Sequence, residues 1–124
     1  MYQNGYNQYK MQSVNTMTRG EMLLLLYDEI LKRLTRAEIA LEEKDYELFD
    51  KSVTRVEEIV RYLEQTLNME YSVSRDLRRM YEFFLFETSR LKAGRRPAVI
   101  HELKPLVTEL RDAFKEAEKI SGGV

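Results

Sequence analysis

Apolar residues return every three or four positions through most of this chain, and short polar stretches interrupt the pattern between Thr18 and Ile120. The first periodic segment places Leu23, Tyr27, Ile30, Leu34, Ala37 and Leu41 in steps of four and three, which stacks them on one face of an α-helix. Thr18 and Glu21 open it with the residue types of a capping box, in which the threonine oxygen accepts from the Glu21 N–H. Leu24, Leu25, Leu26 and Leu31 widen the stripe beyond a coiled-coil seam, so this helix must meet neighbours on more than one side.

A second segment follows Asp45, a fitting N-cap. Phe49, Val53, Val56, Val60, Leu63 and Leu67 repeat the same steps, and Glu57 and Arg61 make an i,i+4 pair on the polar face. The short link Asn68–Ser72 implies an antiparallel neighbour. The third segment starts after Ser72 or Ser74 and carries Val73, Leu77, Met80, Phe84 and Leu91. Glu87 falls on that stripe, where the pattern predicts a place at the bundle edge with the head group reaching water. Tyr81, Phe83, Leu85 and Phe86 lie off the stripe, so this helix is apolar almost all round and needs cover on a second side. Ala93-Gly94 ends it. Pro97 suits the first turn of a fourth helix, with Ile100, Leu103, Val107, Leu110, Phe114 and Ala117 as its seam. Pro105 predicts a kink or a restart near Lys104.

The predicted fold is all-α: an antiparallel four-helix bundle over 18–120, with helices at about 18–43, 46–67, 73–93 and 97–119. A 24-residue helix is about 36 Å long. Residues 1–17 lack a helical period and set tyrosines among Asn, Gln and Gly; low hydrophobicity there predicts a mobile arm. That arm is either a frayed terminus or a strap that folds onto the bundle through Tyr6, Tyr9, Met11 and Val14, since tyrosine brings a large apolar ring with a polar tip.

Composition narrows the function. At 124 residues the chain is one domain. Basic residues number 20 and acidic ones 21, so no positive field gathers nucleic acid or an anionic membrane. There is no cysteine, which excludes disulfides and is compatible with the cytoplasm. The longest apolar run, Met22 to Tyr27, is far short of a membrane span, and no secretory signal is visible. No catalytic constellation emerges. His101 is the one histidine and Ala98 lies three before it, so the Glu-x-x-His repeats of a metal-bearing bundle are missing, and no metal or other cofactor is expected. Arg75, Arg78, Arg79, Arg90, Arg95 and Arg96 are interspersed with Asp76, Glu82, Glu87 and Glu102, the mark of a solvated face. What remains is surplus apolar surface on the first and third helices, with Tyr62 on the second. It fits a structural homodimer, or a groove for amphipathic segments of another protein.

The residues Tyr6–Tyr9, Val14-Asn15-Thr16, Glu21-Met22-Leu23 and Leu26-Tyr27-Asp28 resemble the opening of the flagellin-specific export chaperones of bacteria, the FliS family. Ala37, Ile59-Val60 with Leu63 and Leu67, Leu77 with Tyr81, and Leu110-Arg111-Asp112-Ala113 continue the resemblance in order. The chain departs from the family pattern at Met17-Thr18-Arg19-Gly20, where a small residue and proline are usual, and at Ala113-Phe114, where Ala-Trp is common. The resemblance implies a cytoplasmic helical bundle, monomeric or weakly dimeric. It would bind the disordered C-terminal region of flagellin, prevent premature polymerisation and hold the subunit for the flagellar type III export apparatus. It implies that the arm, here Tyr6, Tyr9, Met11 and Val14, covers apolar surface until flagellin displaces it. The residues expected to line or border the flagellin site are Tyr27, Ile30, Leu34, Tyr62, Leu63, Leu85 and Phe86.

Overall fold

The computed structural model describes residues 17–121, and the proposed strap residues Tyr6, Tyr9, Met11 and Val14 lie outside them. Four helices follow in order: α1 Arg19–Glu42, α2 Tyr46–Gln65, α3 Val73–Gly94 and α4 Pro97–Ser121. Their starts obey the capping chemistry of the sequence. Thr18 Oγ1 accepts from the Glu21 N–H at 3.1 Å, and Asp45 Oδ1 from the Leu48 N–H at 3.1 Å. The Thr18 hydroxyl in turn donates to Glu118 Oε1 at 3.1 Å, tying the start of α1 to the end of α4.

Cross-helix contacts fix the directions. From α1 to α4, Asp28 meets Arg111 at 3.0 Å and Glu38 meets His101 at 2.6 Å, so one number rises as the other falls. From α2 to α3, Asp50 meets Arg95 at 3.8 Å and Thr54 meets Lys92 at 2.9 Å. Each helix is therefore antiparallel to its neighbours. α1 packs on α2 and α4, α3 packs on α2, and the α3–α4 seam is the least extensive of the four. This is an all-α, antiparallel four-helix bundle.

The core is built from the stripes, with Tyr27, Ile30 and Leu34 of α1, Phe49, Val53, Val56, Val60 and Leu63 of α2, and Ile100, Leu103 and Val107 of α4 all buried. The third stripe differs from its prediction. Tyr81, Phe84, Thr88 and Leu91 face the core, while Val73 is exposed and Met80 only half-buried. Tyr81 belongs inside because its hydroxyl finds a buried partner, Tyr27 Oη, at 2.6 Å. Glu87 is buried rather than reaching water, because Arg90 Nη1 one turn on sits 3.0 and 3.1 Å from its two carboxylate oxygens. Ala117, placed on the α4 seam by periodicity, is exposed. α4 does not restart at Pro105 but runs through it as one helix.

Candidate functional site

The two poles of the bundle are built differently. At one, α1 turns into α2 and α3 into α4 through tight links. Lys44 and Arg95 adopt left-handed backbone there, and the Arg95 guanidinium lies 4.3 Å above the Tyr46 ring. At the other pole α1 begins, α4 ends, and α2 passes to α3 through Asn68–Ser72. The helix ends there leave a hollow of ≈ 150 Å³, walled by Leu23, Leu67, Tyr71, Val73, Leu77 and Phe114 and floored by Leu63 and Tyr81.

The polar groups of this pole are largely engaged with one another. The Arg19 guanidinium donates to the Thr66 carbonyl, Ser74 Oγ donates to the Asn68 carbonyl at 2.6 Å, and the Thr66 hydroxyl donates to the Tyr62 carbonyl at 2.9 Å. An apolar surface faces outward as a result. Tyr71 is 65% exposed and Val73 55%, while Met69 in the same link is also open. Beneath the floor, burial raises the Tyr27 and Tyr81 phenols above the ordinary tyrosine range, so both stay neutral and share one hydrogen bond. Tyr27 also packs its ring against Phe114, centroid to centroid 5.6 Å.

A second depression, of ≈ 270 Å³, lies between α1 and α2, lined by Leu26, Ile59 and Tyr62 and bounded by the Arg55–Glu58 ion pair at 3.1 Å. The exposed aromatics of α3, Phe83 and Phe86, lie apart from both hollows.

These positions sort the residues expected from the sequence. Tyr27, Ile30 and Leu34 are core side chains that close packing removes from any surface groove. Leu63 is buried too, but as the floor of the hollow at the pole where α1 begins. Tyr62 is 47% exposed in the α1–α2 depression, Phe86 is 62% exposed on α3, and Leu85 is half-buried beside it. The seven do not form one groove. Tyr71, Val73, Leu77 and Phe114 were missed because stripe counting assigns them to a link or a core. The available signal was a tyrosine in a link too short to need one. Among the described residues no cluster of three or more His, Cys, Asp or Glu could hold a metal ion, and no helix is long and apolar enough to cross a membrane.

The arrangement offers apolar contact area. Comparison with known proteins gives the same direction. The family model described as "Flagellar protein FliS" matches residues 2–121. The flagellar secretion chaperone FliS of Bacillus subtilis (strain 168) is 32% identical over 115 residues, covering 93% of this chain and 86% of that protein. A match spanning nearly the whole chain, on an antiparallel four-helix bundle, places this chain in the FliS family of flagellar proteins.

Proposed function

We propose that this protein is a cytoplasmic export chaperone that binds the C-terminal region of flagellin. By doing so it prevents premature polymerisation and keeps the subunit ready for the flagellar type III export apparatus. The observation that carries the reading is the apolar hollow at the pole where α1 begins, together with a relative named as a flagellar secretion chaperone. Leu23, Leu67, Tyr71, Val73, Leu77 and Phe114 receive the first anchor side chains of the client, and the exposed Phe83 and Phe86 offer further apolar area along α3.

Each apolar anchor removed from water contributes about 1.5–3 kcal/mol. Ordering a disordered client costs back about 2–5 kcal/mol, which keeps the complex releasable. α1 begins at this same pole, and in this proposal Tyr6, Tyr9, Met11 and Val14, which precede it in sequence, cover the hollow before the client arrives.

The test is calorimetric titration of the full chain with a peptide of about forty C-terminal flagellin residues, long enough for several helical turns. The expected result is binding with a negative heat-capacity change, weakened by Tyr71→Ala and by Val73→Asp, two exposed positions that leave the core intact. Absence of heat, with a dimer that persists on dilution, would return the surplus surface to self-association and overturn the proposal.

A further inference from the structure

The α1–α2 depression does not end at Arg55 and Glu58. The same two residues bound a second and larger hollow of ≈ 430 Å³ on the outer face of α2, reached by Arg33 from α1 and Lys92 from α3, with Asp50, Lys51 and Thr54 in its bed. The two are halves of one trough along α2. One half is apolar, with Leu26, Ile59 and Tyr62. The other has four cations, Arg33, Lys51, Arg55 and Lys92, against two carboxylates, Asp50 and Glu58.

Its cations are held loosely. Arg33 pairs with Glu29 at 2.9 Å, Lys51 with Glu47 at 3.2 Å and Arg55 with Glu58 at 3.1 Å, each within one helix, the first half-buried and the other two open to water. Exposed pairs of this kind are worth about 0–1 kcal/mol and exchange readily for a better partner. Lys92 lies against the Thr54 hydroxyl at 2.9 Å, and no ion pair engages it among the described residues. From Lys51 to Tyr62 the trough is about 16 Å long, the length of three helical turns.

We infer that this trough is a second docking surface, for an amphipathic helix of a partner protein whose one end is apolar and whose other end is acidic. The apolar end seats on Leu26, Ile59 and Tyr62, and the carboxylates reach Lys51 and Lys92. A second copy of this chain does not fit. Two-fold pairing of the trough with itself lays the cationic half of each copy either on the apolar half of the other, burying charge against hydrocarbon, or on the other's cationic half, where like charges repel. The trough shares no lining residue with the hollow at the pole, so both surfaces can be occupied at once.

The probe is a synthetic helical peptide of about fourteen residues, slightly longer than the trough, with leucines spaced by three and four at one end and glutamates at the other. It is titrated into the full-length isotope-labelled protein, with and without the flagellin C-terminal peptide. The expected result is chemical-shift change at Leu26, Thr54 and Tyr62, unaltered by the flagellin peptide. Binding should be at least about tenfold weaker in Lys51→Glu/Lys92→Glu, whose melting temperature stays near that of the parent because both side chains are exposed. A peptide with lysines in place of the glutamates should prefer the variant. Equal affinity for parent and variant overturns the inference, as does displacement of the probe by the flagellin peptide. So does binding of phosphatidylserine vesicles through the same lysines without binding of the peptide. Each of these results is read whether or not flagellin itself binds.

Discussion

The Tyr27–Tyr81 contact can be tested by removing its oxygens one at a time. The two hydroxyls are 2.6 Å apart, 0% and 1% exposed, and bridge α1 to α3 across the bundle. Tyr27→Phe keeps the ring and its packing on Phe114 but leaves the Tyr81 hydroxyl without that partner. An orphaned buried hydroxyl costs about 1–3 kcal/mol, whereas removing both partners is close to neutral. Each single variant should therefore lose about 1–3 kcal/mol, and Tyr27→Phe/Tyr81→Phe should lose less than either single. Urea denaturation of the four proteins, followed by far-ultraviolet circular dichroism, closes the cycle. Additive losses would refute the account, because they would mean the hydroxyls act independently.

The same pair predicts a pH signature. Burial raises both phenols in the folded state, while the unfolded chain titrates at about pH 10. Above that value the folded protein binds more protons than the unfolded one, so stability falls as pH rises. The fall amounts to about 1.4 kcal/mol per pH unit for each tyrosine, begins near pH 10 and is absent below it. The double phenylalanine variant lacks both groups, so its stability should decline less steeply between about pH 10 and 11. Parallel declines would show that the pair does not carry the burial assigned to it.

Three further outcomes follow from single contacts. Glu87 is buried and held by Arg90, so Arg90→Ala should destabilise by about 1–2 kcal/mol, whereas Glu87→Leu should be neutral or stabilising in the same denaturation assay. A Cβ on Gly20 would fall 1.9 Å from Glu118 Oε2, the far end of a flexible side chain. Gly20→Ala should therefore change little in the parent but stabilise Glu118→Ala by about 0.5–1 kcal/mol through helix propensity, read as a shift in midpoint. Pro105 is exposed inside α4, and Pro105→Ala should raise stability by about 1–2 kcal/mol, the helix gain less the added freedom of the unfolded chain.

How far the sequence alone reaches can be judged helix by helix. α2 was legible as far as Leu63, since Phe49, Val53, Val56, Val60 and Leu63 are unambiguous apolar residues at one spacing and all are buried, whereas Leu67, the last residue of the predicted stripe, lies half-buried beyond the end of the helix at Gln65. α3 was not. Tyr81 and Met80 are both credible core residues, and what decides for Tyr81 is Tyr27, 54 positions away, a partner that no local pattern displays. Glu87 misled in the opposite sense. A charge on a stripe argues for the edge, but Arg90 three residues later was the visible sign that it could be buried in company. The site was less legible than the fold. Tyr62 and Phe86 stand out as surplus aromatics, and both are exposed. Tyr27, of the same type as Tyr62, lies in the core with Ile30 and Leu34, because depth along a wide stripe depends on where the neighbouring helices sit.

The position of the hollow has a topological cause. Four helices running alternately up and down need three connections, two at one pole and one at the other. Here the paired pole is closed by two short turns, with Asp45 N–H bonded to the Ala40 carbonyl at 2.8 Å and Arg95 N–H to the Leu91 carbonyl at 2.8 Å. Backbone thus covers the end of the core there. The opposite pole has the Asn68–Ser72 link alone, and Ser72 makes no side-chain cap to the helix it precedes. Leu63 and Tyr81 at the end of the core are left under a thin rim of Leu23, Leu67, Tyr71, Leu77 and Phe114. A segment that seals this pole would come from outside the four helices, and residues 1–17, which lead into α1 there, are the proposed one. On the proposed function, the arm and the flagellin peptide compete for this one surface. Deleting residues 1–13 should then strengthen flagellin-peptide binding and lower the melting temperature of the unbound protein; a loss of affinity on deletion would show that the arm helps hold the peptide rather than guarding the hollow against it.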